Sequence, residues 1–235
     1  MTKILALDSS SDACSVALIQ NGAISDIYEL AAKSHTQRLL PMVDELLTAH
    51  QLTLADLDAI AFGRGPGSFT GLRICMGVVQ GLAFGANLPV LPISTLQAMA
   101  QAYMQAHPQN QKPLLVAIDA RMDEVYWCLF SAELIPQRVV DEAVAKPVEV
   151  AAHAQVKELG QEFVALGSGW HYSELGALTP AILDVDVHPN AKAMVQLAAT
   201  EFEQGRAISI LEAQPVYLRD SVSWQKRQRI RTSAI

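Results

Sequence analysis

The sequence predicts an α/β fold in which mixed sheets carry helices on their faces. Three observations lead there. Short aliphatic runs that end in polar or glycine-rich turns alternate with longer stretches of helical period. Asn21-Gly22 follows the second of these runs and is a hairpin signal, so part of the sheet is antiparallel. The apolar fraction is 51% with only 6% aromatic, so the core is aliphatic, and 235 residues suffice for one large core or two smaller ones.

Residues 4–7 form an aliphatic strand ending at Asp8, and residues 8–12 (DSSSD) form a polar turn. Residues 14–19 and 23–28 are strands flanking Asn21-Gly22. Residues 35–49 carry Leu39, Leu40, Val43, Leu46 and Leu47 at helix spacing, with Pro41 inside the pattern as a bend or a late first turn. Thr53 and Asp56 fit a capping box for a short helix, and residues 59–62 are a strand. The glycine-rich run 63–71 feeds a helix over 71–86 in which Gly77, Gly81 and Gly85 recur every fourth residue on one face. Residues 89–92 are a strand, and Ser94 with Gln97 caps a helix reaching about residue 106. The polar stretch 107–113 predicts a boundary between an N-terminal lobe, 1–110, and a C-terminal lobe, 111–218.

In the second half, residues 114–118 form a strand ending at Asp119 and residues 125–130 form another. Strand, terminal aspartate, polar turn, strand: this order echoes the region of Asp8 and suggests an internal duplication. Residues 148–159 and 191–202 are predicted helices, the latter begun by Pro189-Asn190. Residues 163–166 and 182–187 are predicted strands, and 215–218 is extended. Residues 219–235 lack pattern, carry Lys226, Arg227, Arg229 and Arg231, and predict a flexible basic tail.

A net charge of -7 argues against unaided binding to a phosphate backbone. Three scattered cysteines, Cys14, Cys75 and Cys128, argue against a disulfide framework or a cysteine zinc site. The start of the chain lacks the pattern of a secretory signal, and the apolar stretch 77–91 is broken by Gln80, Asn87 and Pro89, so a cytoplasmic location is expected.

Asp8 and Ser9 at the end of the first strand can orient a phosphate or a hydrated metal, or can close a hairpin as an Asx turn. The loop holding Gly65 and Gly67 can present amides to an anion at a helix start, with Arg64 and Arg73 adding charge, or can be rigid in order to pack on the Asp8 turn. It lacks the Lys-Ser/Thr ending of a P-loop. Asp119 and the Gly167-Ser-Gly169 triplet are weaker nucleotide-binding candidates in the second lobe. The glycines Gly77, Gly81 and Gly85 allow close backbone approach, within the chain or between subunits. The six histidines form no metal motif in sequence, and no Ser-His-Asp set is present in a defensible pattern.

Three segments together, DSS at residues 8–10, HTQRLLP at 35–41 and GRGPGSFTGLR at 63–73, resemble the bacterial TsaB (YeaZ) family, which is grouped with TsaD in the actin-like ATPase superfamily. The likeness covers most of residues 1–106 and only the general layout beyond. It implies a two-lobed actin-like (ASKHA, ribonuclease-H-like) fold and a role in making threonylcarbamoyladenosine at position 37 of tRNA. It also implies TsaD as the catalytic partner, TsaE as the ATPase of a ternary complex, threonylcarbamoyl-adenylate as donor, tRNA contacted through the complex, and a homodimer when alone. TsaD carries a His-x-x-x-His metal pair where this chain has Thr95 and Met99. A weak oxygen donor and a soft thioether do not replace two imidazoles. The resemblance therefore implies an accessory subunit with no catalytic residue, metal or cofactor of its own. Its partner surface is expected on the N-terminal lobe, from His35, Leu39 and Val43 on one helix and Gly77, Gly81 and Gly85 on another. The rival readings are a stand-alone ATPase or small-metabolite kinase using Asp8 and Asp119, a protease, and a homodimeric scaffold with no tRNA role.

Overall fold

The computed structural model of the protein describes residues 2–30 and 35–219. A first sheet begins as an antiparallel meander of β1 (Lys3–Asp8), β2 (Ala13–Gln20) and β3 (Ala23–Leu30). Asn21 and Gly22 take φ of 55° and 80°, so Gln20 pairs with Ala23 across a two-residue turn. After α1 (His35–Ala49), β4 (Ala59–Gly65) joins parallel to β1. After α2 (Phe69–Ala86), β5 (Val90–Ser94) joins parallel to β4. The order is β3-β2-β1-β4-β5.

Both faces of β1 are buried, which is why it reads as a continuous aliphatic run. Leu5 and Leu7 face the helix pair α1 and α2, through Leu39, Val43, Leu46, Met76 and Val79. Ile4 and Ala6 face the opposite side. α2 is long and apolar enough, by length and composition alone, to cross a membrane. Here its Leu72, Cys75, Met76, Val79 and Ala83 are buried side chains.

The second sheet repeats the plan. β6 (Leu114–Arg121), β7 (Glu124–Phe130) and β8 (Arg138–Ala145) form a meander. The chain continues through α4 (Pro147–Ala152) and α5 (Ala154–Glu158) into β9 (Val164–Leu166), parallel to β6. After α6 (Ser173–Gly176), β10 (Ile182–Asp184) lies parallel to β9. The order β10-β9-β6-β7-β8 matches the first sheet read outward from β6, so Asp119 holds in β6 the place that Asp8 holds in β1.

Two helices change sides. α3 (Thr95–Ala106) leaves β5 and packs on the second sheet through Leu96, Met99, Tyr103 and Met104. α7 (Ala191–Glu203) leaves β10 and packs on the first through Met194, Val195, Leu197 and Ala198. Beyond it, Ile208 bridges to Val90 with backbone bonds of 2.8 and 2.9 Å, and Ala213 is buried in the first core. The expected division at 110/111 therefore needs correction: α7 and the segment through Ala213 return to the first lobe, and 111–218 is not one packing unit. An amphipathic pattern states that a helix has an apolar face, not which sheet that face covers.

Other departures have local causes. β8 carries no fully buried residue and no alternation, and it escapes sequence reading. The helix expected over 148–159 is broken at His153, whose ψ is 135°. The strand expected over 182–187 shortens to Ile182–Asp184. α2 starts two residues early because the Ser68 side chain accepts from Gly71 N, at 3.3 Å. The second capping box is half formed: Ser94 Oγ accepts from Gln97 N at 3.1 Å, but the Gln97 amide donates to Pro136 O at 3.0 Å. Asn190 caps α7 by accepting from Ala193 N at 2.9 Å. Replacing Asn190 with Ala is expected to cost about 1 kcal/mol in urea unfolding and to loosen α7 from the first sheet.

Candidate functional site

The parallel pairing of β1 with β4 sets the turn after Asp8 beside the loop after Gly63. The two lie backbone against backbone. Ser68 N donates to Ser10 O at 2.8 Å, and Ser9 Oγ donates to Gly71 O at 3.0 Å. A Cβ on Gly63 would overlap Asp8 Oδ1, one on Gly67 would lie 2.6 Å from Ser10 O, and one on Gly71 would overlap Ser9 O. These glycines are required by contact with the turn. Gly65 has φ of 102° and lies against Leu72 and Val216 O. Ser68 N and the glycines at 63, 67 and 71 are thus taken up by contact with the Asp8 turn, which favours the packing reading of the loop.

Asp8 is fully buried. Its Oδ2 accepts from Ser10 N at 3.2 Å and from Ser10 Oγ at 3.0 Å, while Oδ1 has no partner among the described residues. Loss of solvent raises its pKa to about 7, and the two bonds from Ser10 oppose the rise only in part.

Thr95 and Met99 are also committed to the fold. Thr95 is buried and its hydroxyl donates to Pro66 O, sealing the glycine-rich loop to the start of α3. Met99 is buried among Leu96, Leu114 and Leu166, and its methyl group occupies the space a Cβ on Gly167 would need. In the second lobe Gly167 has φ of 96°, and a Cβ on Gly169 would lie 2.9 Å from Ala117. Ser168 Oγ accepts from Asp119 N at 3.1 Å. Asp119 Oδ1 accepts from Arg121 N at 2.8 Å and from the Tyr172 hydroxyl at 3.1 Å. The candidate residues of both lobes thus make close-packing and turn-closing contacts.

The chain then straps the lobes together. Arg64 of β4 pairs with Glu142 of β8 at 2.9 Å. Val216 N donates to Arg64 O at 2.7 Å. Arg219 holds Glu124 through both Nε and Nη2, and also donates to Ala120 O at 3.2 Å and Arg121 O at 3.3 Å. It thereby braces a turn in which Arg121, Met122 and Asp123 all have positive φ. Arg219, expected to open a flexible tail, is anchored; Lys226, Arg227, Arg229 and Arg231 lie outside the described residues.

The expected partner surface divides. Leu39 and Val43 are 0% and 3% exposed and belong to the first core, so they cannot face a partner. Helical spacing marked the inward face of α1; its outward apolar neighbour is Leu40, half exposed. His35 is partly buried. Gly77, Gly81 and Gly85 face open space, with nothing within 4 Å of a Cβ at any of them. Packing against the described residues does not explain them. Phe84 beside them is 73% exposed. At the start of α2, Arg73 lies 3.5 Å over the Phe69 ring and donates to the Tyr217 hydroxyl at 3.3 Å, a cluster assembled from residues 144 apart that the sequence did not reveal.

The family model of TsaD, tRNA N6-adenosine threonylcarbamoyltransferase, matches residues 25–227. The Escherichia coli K12 protein named "tRNA threonylcarbamoyladenosine biosynthesis protein TsaB" is 43% identical over 229 residues, 95% of this chain and 97% of that protein. The chain belongs to the TsaB group of the TsaD family. The Haemophilus influenzae protein of the same name is also 43% identical, over 233 residues, with 95% and 96% covered. A solved structure described as YeaZ from Pseudomonas aeruginosa superposes with a TM-score of 0.82 at 42% identity, covering 93% of this chain and 100% of that one. A second, described as an uncharacterized protein with similarity to peptidase YEAZ from the same organism, gives 0.85 at the same identity and coverage. The fold is thus the two-lobed actin-like one, with two mixed sheets flanked by helices.

Burial of Asp8 has a measurable consequence. The unfolded carboxyl titrates near 3.8 and the folded one near 7. Between those values the unfolded chain is ionised while the native chain keeps its proton, so this group lowers stability as pH rises from about 4 to about 7 and adds no slope above. Asp8→Asn is expected to remove the slope, gaining on the parent by at most roughly 4 kcal/mol at pH 8 and little at pH 4.5. Urea unfolding of both proteins across that range checks this.

Proposed function

We propose that the chain is a non-catalytic accessory subunit for the formation of threonylcarbamoyladenosine at position 37 of tRNA, and that it binds and supports TsaD. The carrying observation is the use of Thr95 and Met99. At the two positions where TsaD holds a metal with imidazoles, this chain has a hydroxyl bonded to Pro66 O and a thioether buried in the core. The engagement of Asp8, Asp119 and both glycine runs with the fold itself supports the same reading. It weighs against the stand-alone ATPase or kinase, whose phosphates would need those groups free.

The partner face is the outer side of α2. Gly77, Gly81 and Gly85 let a second helix approach the backbone closely, and exposed Phe84 supplies an aromatic anchor beside them. The same face serves a homodimer when TsaD is absent, so the two assemblies compete. TsaE joins the TsaD complex, tRNA is reached through it, and the work is cytoplasmic. Binding favours one state of TsaD by contacting that state better.

Reconstitution of TsaD, TsaE, tRNA and the threonylcarbamoyl donor, with this chain omitted in one arm, tests the role. Modified-base yield is expected to drop to background in that arm, and equal yields would overturn the reading. The glycines give a sharper test. Exposed Gly81→Ala is expected to stabilise the isolated chain by about 0.5–1 kcal/mol, because glycine is a poor helix former. The same variant should weaken TsaD binding in calorimetry, and Gly81→Trp should abolish it while the fold stays intact. Unchanged affinity for both would remove α2 from the interface.

A further inference from the structure

Two adjoining cavities, of 260 and 430 Å³, share Tyr28, Ala102, Ala106 and Asn190 and so form one groove. Neither Asp8, nor the glycine-rich loop, nor Asp119 lines it, and it lies apart from the residues assigned to TsaD binding. Its walls come from both lobes: β3, the end of α3, the segment after β10 and the start of α7.

The chemistry of the walls is uneven. Asp184 and Asp186 line one end and make no ion pair among the described residues; Asp184 Oδ1 accepts only from Asp186 N, at 3.1 Å. Asp26 lines the other end and is paired with Lys192 at 3.2 Å. Three carboxylates against one ammonium leave the groove anionic. Tyr103 lies at the Asp184 and Asp186 end. It is only 3% exposed, and its ring is stacked on His107 with centroids 4.3 Å apart. Its hydroxyl has no hydrogen-bond partner among the described residues, although the side chain borders the cavity. The ring is buried while the hydroxyl stays open to the cavity, where a ligand can reach it. Burial first, and Asp184 second, keep that hydroxyl protonated beyond its usual range. Tyr28, less than half exposed, offers an aromatic face along the shared middle of the groove.

We infer that this groove binds a small organic cation, an alkyl ammonium or guanidinium. The charge sits at Asp184 and Asp186 with the Tyr103 oxygen accepting a hydrogen bond, and the alkyl part lies over Tyr28 between Ala102 and Ala106. Carboxylates and an aromatic face are the two features that recognise such ions. An anion would meet Asp184 and Asp186. A bare metal ion lacks its ligand set, since no group of three His, Cys, Asp or Glu fit to hold one occurs among the described residues.

Agmatine and putrescine, titrated into the full chain and followed by calorimetry and by the ring resonances of Tyr103 and His107, test this. Saturable binding is expected below about 10 mM, with both rings shifting. The Asp184→Asn, Asp186→Asn double variant and Tyr28→Ala should each weaken it by about tenfold with little change in melting temperature, because these side chains border open space. Butyrate and 1-butanol should not bind. Absence of saturation with both amines, equal shifts with 1-butanol, or unchanged affinity in the double variant would overturn the assignment. None of these readouts involves TsaD or tRNA, so the outcome is independent of the accessory role.

Discussion

The fold depends on one contact, the seating of the Asp8 turn directly on the backbone of the Gly63–Gly71 loop. Only glycine permits it, since side chains at residues 63, 67 and 71 would occupy the positions of Asp8 Oδ1, Ser10 O and Ser9 O. The contact locks β1 to β4, orients the first turn of α2, and offers Pro66 O to Thr95 at the start of α3. Removing it would free the two strand ends, the start of α2 and the helix that reaches the second lobe together. Its cost is a buried carboxyl with one oxygen unpartnered, a cost kept down by holding the proton.

The second lobe repeats the device with different residues. Gly167 and Gly169 let the segment after β9 lie on Ala117 of β6, as Gly63 and Gly67 let the loop after β4 lie on the Asp8 turn. Asp119 is bonded where Asp8 is half orphaned. Asp8 and Asp119 stand at the ends of the corresponding strands β1 and β6. In this chain those positions are filled by protein contacts, and Arg64–Glu142 and Arg219–Glu124 tie the lobes across the same region.

The legible part of the site was its architecture. Asp8 at a strand end and the glycine run before a helix were both visible, because turns and close approach demand particular residue types within a few positions. Leu39 and Val43 went astray for a related reason. Helical period marks the buried stripe, so the residues it selects are those least able to meet a partner. The exposed Phe84, Leu40 and the Phe69–Arg73–Tyr217 cluster carry no period, and the last is joined over 144 positions. The groove of Tyr103 and Asp184 is of the same kind, since its walls come from four segments that no local pattern links.

Sequence by itself determined the α/β class, the Asn21-Gly22 hairpin, and the helix starts at Ser94 and Asn190. Each of these comes from local conformational preference or from side-chain chemistry at one position. Only the tertiary structure decided that α7 belongs to the first lobe, that Arg219 is anchored, and whether each glycine serves the chain or faces outward. Gly63, Gly67 and Gly71 touch another backbone or its side chains, while Gly77, Gly81 and Gly85 touch nothing among the described residues. The residue is the same in all six, and what distinguishes them is the neighbour, which is set by the packing of distant segments.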